Sequence, residues 1–64
     1  KPPLRLLAIE RVLSKELKDH DIDAELQVIA DPNRGHTAVV KSGELEQARK
    51  ALAGFAMSIN FEPF

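Results

Sequence analysis

With 64 residues, 44% of them hydrophobic and 30% charged, the chain has the balance of a folded domain rather than a disordered one. A domain this small buries only about 60% of the surface its unfolded chain exposes, which leaves little room for an internal catalytic cavity. A formal charge of −1 excludes a general attraction for nucleic acid or anionic lipid, and the absence of cysteine excludes disulfides, thiolate metal sites and thiol nucleophiles.

The chain begins at Lys1, and Pro2 and Pro3 suit a position at or just before a first helical turn, where a missing N–H costs nothing. Leu4 to Asp19 consists mostly of good helix formers, with Leu6, Ile9, Leu13 and Leu17 three or four apart, so a helix is expected over residues 4–19. Its last turns carry Lys15, Lys18 and His20, cations suited to the negative end of the helix dipole, while Glu16 and Asp19 oppose that trend.

From Ile22 the pattern changes to alternation. Ile22, Ala24, Leu26, Val28 and Ala30 fall on one side of an extended chain and Asp23, Glu25, Gln27 and Asp31 on the other, with Ile29 breaking the rule. This predicts a half-buried strand over residues 22–30. The string DPNRGH then reads as a turn: Pro32 sets φ, Asp31 or Asn33 can bond nearby backbone, and Gly35 supplies a positive φ. A β-branched second strand follows over residues 36–41; because Val39 and Val40 are both apolar, the pattern leaves its register open.

Ser42 or Gly43 offers an N-cap for a helix over residues 43–54, in which Glu46 can reach Lys50 at i+4. Gly54 is expected to end it in the left-handed conformation, and the alternation of Phe55, Met57, Ile59 and Phe61 predicts a closing strand over residues 56–62. The order α-β-β-α-β implies an α+β two-layer sandwich with both helices on one sheet face. The alternative is a ferredoxin-like βαββαβ order, in which residues 4–9 form an opening strand. The order α-β-β-α-β occurs in small regulatory domains attached to larger chains, and Lys1 in place of an initiator methionine leads us to expect a domain excised from a larger cytoplasmic protein.

Few residues point to chemistry. Two histidines with Ser14, Ser42 or Ser58 match no nucleophile elbow, and Gly35, Gly43 and Gly54 are too scattered for a phosphate loop or dinucleotide fingerprint, so no catalytic residue, cofactor or enzyme activity is expected. The acidic run KDHDIDAE around His20 lacks the glycine of a calcium loop, and no metal site is expected there. No apolar run reaches the roughly 20 residues of a membrane helix.

Two surfaces remain. If both helices cover one face of the sheet, the other presents Asp23, Glu25, Gln27 and the lone apolar Ile29, suggesting a non-catalytic interaction or regulatory domain that binds a protein partner or a second copy through its open face or edge strand. The alternative is a small RNA-binding module using Arg11, Lys15 and Lys18 on the first helix with Arg34, His36 and Lys41 on the hairpin. It would lack the aromatic platform usual for base stacking: the aromatic residues are Phe55, Phe61 and Phe64.

Overall fold

The computed structural model describes residues 4–64. Helix α1 spans Leu4–Asp19, β1 Ala24–Asp31, β2 Gly35–Ser42, α2 Leu45–Ala51 and β3 Ser58–Glu62. The order and the α+β class agree with the sequence reading. The ferredoxin-like alternative does not hold, because Leu4 to Ile9 is the first part of α1 and no turn separates it from the rest of the helix.

The exit from α1 explains why the first strand starts two residues later than its alternation suggests. Asp21 takes a left-handed φ of 56°, its N–H donates to the Lys18 carbonyl at 2.9 Å, and the Ile22 N–H donates to the Leu17 carbonyl at 2.9 Å. These bonds form a Schellman motif, in which an apolar residue after the left-handed position packs back on the last turn. Ile22 is that residue: it joins Leu17 in the core instead of opening the strand, and Asp23 lies before β1 rather than within it. Glu16 and Asp19, which oppose the helix dipole, have partners of their own: Lys15 Nζ donates to Asp19 Oδ2 at 2.8 Å and His20 Nδ1 lies 3.7 Å from Glu16 Oε2.

β1 and β2 form an antiparallel hairpin in the register Leu26 opposite Val40 and Ile29 opposite Thr37. The strand pair reaches Asp31 opposite Gly35, so β2 is one residue longer at each end than the β-branched run suggests. The connection is Pro32-Asn33-Arg34, and Asp31 Oδ1 closes it by accepting the N–H groups of Asn33 (2.8 Å) and Arg34 (3.2 Å). Gly35 follows with φ 75°. A Cβ there would meet nothing within 4 Å, so the cost of Gly35→Ala is conformational alone. We expect a loss of about 1–2 kcal/mol in urea unfolding, with Gly54→Ala, at ordinary φ and also unobstructed, unchanged or slightly stabilised.

β3 pairs with β2 in parallel, Ile59 beside Ala38 and Phe61 beside Val40. A parallel neighbour needs a crossover, and residues 43–57 supply it. The helix within it is shorter than the helical spacing predicts. α2 starts after Glu44, which bears no side-chain cap bond, and ends at Ala51 with Leu52 as C-cap. Gly54 does not take the left-handed conformation expected of it, because the helix has already ended and residues 52–54 turn at ordinary φ. β3 correspondingly begins at Ser58, with Phe55 and Met57 packing against the core from the loop before it.

The register sorts the sheet faces. Ala24, Leu26 and Val28 of β1, Ala38 and Val40 of β2, and Ile59 and Phe61 of β3 point to the helices, where Leu13, Leu17, Ala48 and Leu52 complete the core. Leu6 and Ile9, expected in that core, are only half-buried. α2 lies over the β2–β3 side, and Arg49 sets its guanidinium 5.7 Å from the Phe61 ring centroid.

Candidate functional site

Both helices pack on one side of a three-stranded sheet, so its other side is bare. Glu25, Gln27 and Ile29 of β1, Thr37, Val39 and Lys41 of β2, and Ser58, Asn60 and Glu62 of β3 share that bare face. Three of the four residues expected at a partner surface are therefore neighbours on one plane. Asp23 is exposed beside them, in the loop before β1.

The face is divided along the strands. At the hairpin end Ile29 stands 41% exposed opposite Thr37, and half-buried Val39 lies next along β2. At the other end the register places Lys41 between Glu25 and Glu62. The C-terminal residues do not shield Ile29: Phe61 turns toward the helices, and Phe64 lies near Gly43, by the opposite end of β2.

Thr37, the neighbour of Ile29, is 4% exposed and its Oγ1 has no hydrogen-bond partner. A buried hydroxyl left unpaired costs about 1–3 kcal/mol relative to one that is bonded. Valine has nearly the same shape without the oxygen, so Thr37→Val should raise stability by about 1 kcal/mol in chemical denaturation. No signal in the sequence marks this group, because its burial follows from β2 being the central strand.

A second apolar surface extends outside the stripe that the spacing of α1 predicts. Ala8, Ile9, Val12 and Leu13 of the helix face Phe55, Ala56 and Met57 of the crossover loop across a groove of about 340 Å³. Ala8 and Val12, on the solvent-facing edge of the groove, line up with Leu4 along α1, with Leu4 84% and Val12 51% exposed. The sequence does contain the cue: Leu4, Leu7, Ala8 and Val12 are apolar residues beyond the single stripe that one sheet can cover.

The basic residues divide into separate groups. Arg11, Lys15 and Lys18 line one shallow patch on α1 together with Glu10, Ser14 and Asp19. Lys15 is already engaged there: its hydrogen bond to Asp19, and secondarily that carboxylate's charge, hold its pKa above the ordinary lysine value. Arg34 is at the exposed hairpin tip. His36 follows the parity of Ala38 and Val40 on the helix side of β2, whereas Lys41 is on the bare side. The six residues thus do not form one continuous surface.

The polar candidates for chemistry are placed as follows. Ser42 is fully buried and bonded on both sides, Ser58 is exposed on the bare face, and Ser14 borders the basic patch. Among the described residues, no three His, Asp or Glu side chains gather as metal ligands would. No helix of the described residues is long and apolar enough to cross a membrane. Comparison with known protein families, with characterised proteins and with solved structures gives no match for this chain.

Proposed function

We propose that this chain is a non-catalytic interaction domain that binds a protein partner through the bare face of its sheet. The observation that carries this reading is the one-sided layering: three strands covered by helices on one side only, with Ile29 and Val39 at the surface of the other. A covering partner would remove that apolar area from water and complete a third layer. Its rim of Glu25, Gln27, Lys41, Asn60 and Glu62 supplies the polar contacts that set orientation.

Panning a random peptide library on the wild-type domain, with Ile29→Asp as counter-selection, tests this. Ile29 is outside the core, so the variant should keep its dispersed amide spectrum and lose about 1–2 kcal/mol of stability. Enriched peptides should shift the amides of Glu25, Ile29 and Val39 in the wild type and leave the variant unaffected. Equal binding to both proteins would overturn the assignment.

RNA contact is a second reading, supported by the convergence of Arg11 and Lys18 on one patch of α1. Phosphate binding releases counterions, so shifts at those residues with a short single-stranded RNA should vanish between low and physiological salt. A response unaffected by salt would remove this reading.

A further inference from the structure

The bare sheet face and the outer ridge of α1 are opposites in charge and alike in apolar content. Leu4, Ala8 and Val12 are spaced by four, which places them along one line of the helix surface. Arg5, Arg11 and Lys15, the last of these bonded to Asp19, flank that line, and Glu16 ends it, so cations outnumber acids along the ridge. On the sheet, Ile29 and Val39 are bordered by the carboxylates of Glu25, Asp31 and Glu62, with Lys41 the one cation among the strand residues of that face.

We propose that the bare sheet face of one copy docks on the α1 ridge of a second copy, head to tail. The inference rests on the reading of that face as a contact surface. α1 packs its inner side on its own β1, so the docked helix would become a layer between two sheets, the arrangement that buries both sides of an amphipathic helix with a second apolar line. Charge disfavours the two-fold alternatives. Sheet against sheet brings carboxylates onto carboxylates, and two antiparallel α1 helices crossing at Ala8 set Arg5 of one against Arg11 of the other. The two complementary surfaces lie on opposite sides of the molecule, so the contact is heterologous and repeats rather than closing at a dimer.

Sedimentation equilibrium of the wild type, of Ile29→Lys and of Val12→Glu, each alone and then with the two variants mixed, decides the matter. Both positions are exposed and the replacements suit their elements, and amide spectra confirm that each variant folds. The wild type should show an average mass that climbs with concentration past that of a dimer. Each variant alone should stay monomeric. Their equimolar mixture should form a one-to-one complex and stop at twice the monomer mass, since each variant retains the surface the other has lost.

A wild type that is monomeric at millimolar concentration, or a mixture that stays monomeric, overturns the head-to-tail contact. If Ile29→Lys alone abolishes association, the sheet face binds itself, and the functional reading survives while this inference fails. If Val12→Glu alone abolishes it, the ridge binds itself and the sheet takes no part in self-association; the peptide experiment then decides the sheet reading separately.

Discussion

Leu13→Ala should leave the domain largely unfolded at physiological temperature. Leu13 is 1% exposed at the centre of α1 and packs in the same core as Val40 and Leu52. Removing a buried leucine to the β-carbon costs roughly 2–5 kcal/mol, the lost transfer free energy plus the cavity that remains. A 64-residue domain has a total stability of only about 3–10 kcal/mol at the usual value per residue. The substitution therefore removes a large part of the whole, and the core has few other large side chains to close around the gap. Differential scanning calorimetry should show the melting temperature reduced by roughly 10–30 °C, or no cooperative transition at all. Leu7→Ala, at a position outside the core and 40% exposed in the same helix, provides the comparison, with an expected change within about 1 kcal/mol. Similar losses in both variants would mean that the N-terminal half of α1 packs as tightly as its centre.

Ser42→Ala is expected to be the most damaging polar substitution. The Ser42 hydroxyl donates to the Asp23 carbonyl at 2.8 Å and accepts the Glu44 N–H at 2.9 Å, and its residue is wholly buried. It joins the loop that leaves α1 to the start of α2, two segments remote in sequence. Alanine leaves a carbonyl and an N–H without their partner, a penalty of about 2–3 kcal/mol for the pair. α2 would lose most, because Glu44 offers no side-chain cap of its own and the helix is a bare two turns. Hydrogen exchange should therefore accelerate in Ala48 and Leu52 before it does in β1 and β2. Ser58→Ala, exposed on the open face, should change stability by less than about 0.5 kcal/mol. If α2 exchange is unaltered in Ser42→Ala, the crossover is held by its apolar contacts and the hydroxyl is incidental.

Ser42 also shows where sequence reasoning reaches its limit. At the level of local pattern it is a helix cap or one of three serines. Its bond to Asp23 joins residues 19 positions apart, and no local rule foresees it. The same is true of Thr37. A threonine in a β-branched run predicts a strand, but its burial beside Ile29 depends on β2 lying between β1 and β3.

The candidate surface was legible in part, for a definite reason. Alternation in β1 separates Glu25, Gln27 and Ile29 from Leu26 and Val28 without any knowledge of the partner strands, since successive side chains of a strand must point to opposite faces. The same rule does not extend to Asp23, which lies before β1. Ile22 fits the alternation by parity, yet its burial is that of the residue following a left-handed helix exit. The apolar ridge on α1 is masked in the sequence because Leu6, Ile9, Leu13 and Leu17 already account for one complete helical stripe.

Local physics thus determined a good deal by itself. The helical period of Leu4–Asp19, the strand period after it, and the turn chemistry of Asp31, Pro32 and Gly35 all act over a few residues, and the chain obeys them. Tertiary structure decided what those rules leave degenerate. Val39 and Val40 are equally apolar, and only pairing with Leu26 and Phe61 turns Val40 inward and leaves Val39 on the bare face. Gly54 could have ended a long helix, but the crossover had to return the chain parallel to β2, so α2 stops early and Phe55 and Met57 pack as loop residues. Side-chain period records which residues want burial; which neighbour buries them is a long-range matter, settled by the one arrangement in which all of the layers close together.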